Sequence, residues 1–168
     1  MKLIKPNINY IDEIKTFKYG FWRNWRELHG SNQLARYSDI RSWIESTLLL
    51  ESNPAENFVR TSTYMAIQNN KIVGMCDFKH SLNHPILSLW GGNIACCIHP
   101  KERKKGYGAK MLNLLLCECM SFGIRKVLLT ANFNNIASNK LIQASYGIFE
   151  KEITVDDGAK YNRYWIFI

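Results

Sequence analysis

The run Arg103-Lys104-Lys105-Gly106-Tyr107-Gly108 has the residue types of an anion cradle. Glycines let a backbone turn tightly and bring its N–H groups close to a ligand, and a helix starting just behind them adds its positive end. The turn follows a short apolar run that ends at Pro100 and precedes a helical pattern that begins at Ala109, so a strand hands over to a helix there. Phosphate is the chemistry such a turn serves. Its spacing matches neither the dinucleotide fingerprint G-x-G-x-x-G nor the P-loop G-x-x-x-x-G-K-[ST], which removes both of those readings.

The elements that position this turn follow from periodicity. Lys2 to Lys5 reads as a short strand. Ile11, Ile14, Phe17, Phe21, Trp25 and Leu28 recur at spacings of three and four and predict a helical segment over residues 11–28. Ser38 reads as the N-cap of a second helix, with Ile40, Trp43, Ile44, Thr47 and Leu48 on one face and a stop at Asn53-Pro54. The period then changes to that of strands, at 63–68 and 72–78, with Asn69-Asn70-Lys71 between them as a hairpin turn. An irregular connection over 81–92 leads to a strand at 93–98. A helix over 109–122 capped by Gly123, a strand at 125–131, a helix at 135–145 and strands near 148–154 and 161–168 complete the order, the last two separated by Asp156-Asp157-Gly158. The expectation is a single α/β domain over residues 1–168, a mixed sheet behind two N-terminal helices.

Composition narrows the class. With 168 residues, 46% hydrophobic and 21% charged, the chain resembles an ordinary globular protein able to bury about two thirds of its unfolded surface. No apolar run approaches the roughly 18 residues of a membrane span, and Met1 to Pro6 leads into no apolar leader, so a cytoplasmic protein without a membrane partner is expected. Cys76, Cys96, Cys97, Cys117 and Cys119 lack paired C-x-x-C spacing and read as reduced, buried thiols rather than a metal site. The balance of 22 basic against 14 acidic residues, a net charge of +8, raises nucleic acid as a partner. The densest cluster, Lys101, Arg103, Lys104, Lys105 and Lys110, coincides with the glycine turn, where a phosphate-bearing small molecule accounts for it more economically.

Two motifs together carry a resemblance. Arg103-x-x-Gly106-x-Gly108 closely resembles the acyl-CoA signature R/Q-x-x-G-x-G/A of the GCN5-related N-acetyltransferase (GNAT) superfamily, and Asn135-Ile136-Ala137-Ser138 resembles the N-x-x-S segment that opens the next helix there. One helix and one strand separate them, as in that superfamily. Gly91-Gly92 ahead of a strand and the closing Arg163-Tyr164-Trp165-Ile166 are similar to a branch of predicted acetyltransferases, so the likeness covers nearly the whole chain and is strongest from Ile72 to Ile168. The resemblance implies a mostly antiparallel sheet with splayed central strands, flanked by helices, and acetyl-CoA as cosubstrate with no metal. Backbone groups of Cys96, Cys97 and Ile98 would then bond the pantetheine amides. Arg103, Lys104, Lys105, Gly106, Tyr107 and Gly108 would hold the pyrophosphate through N–H groups, with Asn135 and Ser138 contacting the cofactor and Lys140 a weaker candidate.

The implied activity moves an acetyl group to a primary amine, of a small molecule or a protein, by direct attack on the thioester. An amine of pKa about 10.4 is neutral in about one molecule per few thousand at pH 7, so a base or water path is needed. The oxyanion would meet a backbone N–H, at Ile98 by family analogy. The relatives' glutamate is missing from the 93–98 strand, and the position of their tyrosine is Ile142, with Tyr146 one helical turn further. Asp77, His80 and Tyr164 are the candidate catalytic side chains, with His84 and Glu102 behind them. Cys96 and Cys97 lack an evident base partner for a covalent route. Trp22, Trp25 and Trp43 either wall the acceptor pocket or pack the early helices. Two alternatives stand beside this reading: a non-catalytic acyl-CoA binding or sensor domain, and an acetyltransferase whose acceptor is RNA or a nucleoprotein. Exposed strands at the sheet end permit a homodimer.

Overall fold

A computed structural model describes all residues, Met1–Ile168. Alternating side chains on three strands give the chain two cores, one on each face of its first sheet. That sheet runs in the order β1 (Lys2–Ile4), β2 (Thr61–Gln68), β3 (Lys71–Lys79), β4 (Ile94–Ile98), each antiparallel to its neighbour. Met65, Met75 and Cys97 point to one face, where they pack with Ile14, Phe17, Leu34 and Trp43 from and around α1 (Ile11–Tyr19) and α2 (Ile40–Ser52). Tyr64, Cys76, Phe78 and Ile94 point to the other, against Met111, Leu112, Leu115 and Cys119 of α3 (Tyr107–Ser121). This two-sided burial explains why β2 and β3 read as nearly continuous apolar runs.

The second sheet holds β5 (Lys126–Asn132), β7 (Lys160–Phe167) and β6 (Ile148–Thr154) in the order β5-β7-β6, again antiparallel. Val127, Leu129, Tyr164 and Ile166 extend the α3 core, and α4 (Ile136–Ala144) closes it with Ile142. No ladder joins β4 to β5. The two sheets meet at Asn93, whose N–H donates to Leu128 O at 2.8 Å and whose Oδ1 accepts from Leu128 N at 2.8 Å. The same side chain donates through Nδ2 to Lys79 O at 3.0 Å. One buried asparagine therefore pins three strands together at the point where β4 parts from β5. Helix-flanked antiparallel sheets with central strands that part at β4 and β5 are what the resemblance implied, although every ladder is antiparallel and the strands form two sheets rather than one mixed sheet.

Most strand and helix ends shift by one or two residues from the sequence reading, and two boundaries near the N-terminus differ for a physical reason. The helical segment expected over 11–28 is regular only to Tyr19, and Gly20 follows it in close contact with His99, where a side chain would overlap the imidazole. Single turns then carry the chain on, so Phe21 and Leu28 stay buried while Trp25 does not. The N-cap of α2 is Asp39 rather than Ser38, since the Asp39 carboxylate accepts from Ser42 N at 2.9 Å and Arg41 N at 3.3 Å.

Replacing Asn93 with Ala leaves buried backbone groups at Lys79 and Leu128 without their side-chain partners. We expect a loss of about 2–4 kcal/mol in urea unfolding; a loss below about 1 kcal/mol would remove the junction role.

Candidate active site

Pairing of β3 with β4 sets the direction of the β4 backbone groups. Ala95, Cys97 and His99 lie opposite Asp77, Met75 and Val73, and His99 N donates to Val73 O at 2.9 Å. In an antiparallel pair the bonding alternates, so the odd residues spend their N–H and C=O groups on β3. Ile94, Cys96 and Ile98 therefore direct theirs to the open side, toward β5. These are the groups expected to bond an extended amide-bearing chain.

The strand leads through a single 3₁₀ turn, Pro100–Glu102, into the glycine turn. From Arg103 through Ala109 no backbone N–H has a protein acceptor; the helical ladder of α3 begins with Lys110 N donating to Gly106 O at 3.3 Å. Seven adjacent donors thus surround the start of α3. Gly106 holds φ +76°, and a Cβ there would meet no protein atom within 4 Å: it would project into open space at the cradle. Gly108 differs, because a Cβ would only touch Leu141 Cδ2 at 3.4 Å and Ile98 Cγ1 at 3.9 Å. Unpaired donors around open space fit a pyrophosphate.

The side chains of the turn are partly engaged elsewhere. Arg103 Nη2 donates to Glu27 Oε2 at 2.6 Å and its Nε to Ile98 O at 3.2 Å, so its guanidinium ties the turn to the segment after α1 and to the end of β4. This bond, more than any other influence, holds the Glu27 carboxyl below its ordinary range. Lys105 pairs with Glu102 at 2.8 Å. The free N–H groups of the turn lie on the backbone, while Arg103 is engaged by Glu27 and Ile98.

Asn135 caps α4, its Oδ1 accepting from Ser138 N at 3.1 Å, so both residues stand at the helix start. A side chain that the sequence reading passed over fixes that start. Asn139 Nδ2 donates to Asn132 O at 2.9 Å and Asn135 O at 2.8 Å, and its Oδ1 accepts from Asn162 Nδ2 and from Tyr164 Oη, each at 2.8 Å. Every polar atom of the amide is satisfied, and α4 is locked to β5 and β7. The signal was a polar residue three positions before Ile142 on a buried face.

The opposite side of β4 carries a cavity of about 590 Å³. Its floor is Asp77 and Lys79 of β3 beside Ala95 of β4; one wall is the turn Leu28–Gln33, and the other includes Phe58, Val59, Ile86 and Leu87. Gly30 rests directly on β4: it has φ +65°, and a Cβ would collide with the Ala95 carbonyl and come within 2.8 Å of Cys96 Cα. The second wall is held from behind by Arg163, a nearly buried residue that donates to Ser88 O at 2.6 Å and to Leu89 O, and pairs with Glu150 at 2.7 Å. Thr130 adds a bond from Oγ1 to Trp90 O at 2.5 Å.

Of the three candidate catalytic side chains, Asp77 faces this cavity, in an ion pair with Lys79. His80 points to the other face of β3, its ring centroid 4.6 Å from that of Phe78 and 4.5 Å from that of Phe122, with Nε2 2.8 Å from Ser62 Oγ. Tyr164 is buried in the α3 core with its hydroxyl on Asn139. His84 lines the cavity, and His29, which the sequence reading did not single out, lies on its loop wall. Burial pushes the Cys96 thiol up to about 11 and the Cys97 and Cys76 thiols upward as well. Trp22 and Trp25 are exposed, while Trp43 is fully buried with Nε1 donating to Ser31 O at 2.9 Å.

Desolvation lowers the His80 pKa to about 4, with the Arg60 charge adding to the effect. The unfolded chain takes up that proton near pH 6.5, so the stabilisation is complete above this value and is lost as the pH falls toward 4. Thermal melts are expected to drop between about pH 6.5 and 5, and to drop less in His80→Gln; an unchanged slope in the variant would contradict this. Gly30→Ala should weaken the cavity wall and lower stability by about 1–3 kcal/mol, against no more than a few tenths for Gly108→Ala. Equal unfolding midpoints in parallel denaturant titrations would count against the close approach at Ala95.

The fold has solved counterparts. An acetyltransferase from Salmonella typhimurium that modifies the N-terminal serine of a 50S ribosomal subunit protein superposes with a TM-score of 0.70 at 17% identity, covering 99% of this chain and 94% of that one. A microcin self-immunity acetyltransferase in complex with acetyl-CoA and AMP gives 0.70 at 18%, covering 99% and 91%. A spermidine N-acetyltransferase from Vibrio cholerae gives 0.68 at 12%, covering 99% and 95%. No curated protein matches the sequence itself. The profile of the acetyltransferase (GNAT) family matches residues 21–148, a span that holds the opened β4 edge, the seven free donors and α4, and the chain therefore belongs to the GNAT acetyltransferase family.

Proposed function

We propose that the protein transfers an acetyl group from acetyl-CoA to a primary amine by direct attack of the amine on the thioester. The observation that carries this reading is the juxtaposition at β4: an unpaired edge leading to seven free N–H donors on one side, and a cavity reaching Ala95 on the other. The donors of Arg103 to Ala109 hold the pyrophosphate, and Asn135 and Ser138 bound the other side of the cleft. Cys96 offers its N–H and C=O groups to the pantetheine amides, and the N–H of Ile98, whose C=O is held by Arg103, faces the thioester oxyanion. The acceptor enters through the cavity floored by Asp77, Lys79 and Ala95. Both a small amine and a protein amino group fit so open a cavity.

Direct attack is supported by the cysteines. Cys96 and Cys97 are the thiols nearest the cleft, and their raised pKa values keep them protonated at neutral pH, where a thiol is a poor nucleophile. The five free thiols also suit a reducing compartment such as the cytoplasm. No helix is long and apolar enough to cross a membrane.

Calorimetry with acetyl-CoA should give binding in the micromolar range. Gly106→Glu should abolish it by placing a carboxylate among the donors, whereas Gly108→Ala should keep it within about threefold. No detectable binding by the wild type at millimolar acetyl-CoA would overturn the proposal. Turnover measured by thiol release should survive in the double variant Cys96→Ala with Cys97→Ala, and mass spectrometry should find no acetylated enzyme under single-turnover conditions. An acetyl group on either cysteine, together with loss of turnover in the variant, would replace direct attack by a covalent route.

A further inference from the structure

Transfer to an amine requires a group that removes a proton from the acceptor ammonium. Asp77 is held by Lys79, and His80 and Tyr164 point away from the cavity with their polar atoms engaged. His29 is placed differently. It stands on the cavity wall next to Gly30, the residue whose backbone rests on Ala95 and Cys96 of β4. Neither ring nitrogen bonds to another protein group, so both remain available to a ligand. The charged groups around it are Asp77 and Lys79 from β3 and Glu27 from its own segment, with His84 lining the same cavity from the connection after β3. The His29 side chain is exposed to solvent at the cavity mouth. Partial desolvation there lowers its pKa from the ordinary imidazole value, against the opposing pull of Asp77 and Glu27, so the ring is mainly neutral at pH 7.

The rest of the cavity speaks to what carries the amine. The lining includes Phe58, Val59, Ile86 and Leu87 beside the polar Asn57, Thr61 and His84, and Phe58 and Ile86 stand 59% and 47% exposed, surface that an apolar ligand would cover. The one acidic side chain in the cavity is Asp77, already neutralised by Lys79, so no free carboxylate awaits a second ammonium.

We propose that His29 takes the proton from the acceptor, and that the acceptor is a primary monoamine carried on an apolar body. The ammonium gives one proton to the imidazole, which passes it to solvent. The freed lone pair forms the N–C bond to the acetyl carbonyl, the C–S bond breaks with its electron pair on sulfur, and the second nitrogen proton ends on that sulfur as the CoA thiol. This inference rests on the acetyl-CoA reading above.

The test is thiol release from acetyl-CoA with 2-phenylethylamine, spermidine and a short peptide bearing a free N-terminus, over about pH 5.5 to 8.5, for the wild type, His29→Ala and His29→Gln. The wild type should favour 2-phenylethylamine by about tenfold or more in kcat/KM, with an acidic limb that lies below the ordinary imidazole range, where the ring takes a proton. Both variants should lose about 100-fold in kcat and lose that acidic limb, while keeping the KM for acetyl-CoA; added imidazole should restore part of the rate to His29→Ala. A variant within about threefold of the wild type, with the acidic limb intact, would overturn the role of His29. A preference for spermidine or the peptide would overturn the acceptor class and leave the transferase reading standing. Acetyl-CoA binding without thiol release from any amine would overturn the transferase reading, and this inference with it.

Discussion

Buried backbone groups must be hydrogen-bonded, and β4 leaves one edge without a partner strand. Asn93 makes this tolerable. Its backbone and side chain together bond Lys79 and Leu128, so the two sheets are fastened at one point and free to part beyond it. The parting creates the cleft, and in the proposed reading its unpaired groups serve a ligand that is itself a chain of amides. The unfilled bonding requirement of the fold would then act as a binding surface.

The same economy governs the start of α3. Every helix leaves its first N–H groups without intrahelical partners, and most proteins cap them with a side chain. Here Gly106 at the N-cap has no side chain to offer, and the preceding turn adds further free donors. By contrast α4 is capped by Asn135 and anchored by Asn139, so one helix start stays open to an anion while the other is fixed as a wall. Arg103 links the open turn to Glu27, just ahead of the loop that bounds the acceptor cavity. As an exposed ion pair it contributes at most about 1 kcal/mol, which suits a contact that orients rather than stabilises.

Legibility in the sequence followed how local each feature is. The glycine turn was readable as the handover from a strand to a helix because the positive φ of Gly106 at the start of α3 is backbone geometry written in the local sequence. The strands were readable because their side chains alternate or run apolar, and α3 because Leu112, Leu115 and Cys119 keep helical spacing. The helical segment after Ile11 was read too long because Phe21 and Leu28 remain buried after the helix has ended, and periodicity cannot distinguish a helix from a series of tight turns that bury the same residues. Asn93, Asn139 and Arg163 were not legible as structural residues: each acts on groups distant in sequence, and an asparagine at a strand start or on a helix looks solvated until the fold surrounds it. The cavity beside Ala95 was least legible, since it joins residues near 28–33, 57–59, 77–79 and 84–87 that share no motif.

The central claim is that the open edge of β4 and the free donors before α3 form one continuous binding surface. Site-resolved amide hydrogen exchange with and without acetyl-CoA tests it most directly. Saturation should slow exchange by about tenfold or more at Cys96, Ile98 and across Arg103 to Ala109 together, with little change in β6 and β7. Protection confined to other segments, or no protection at saturating acetyl-CoA, would contradict it.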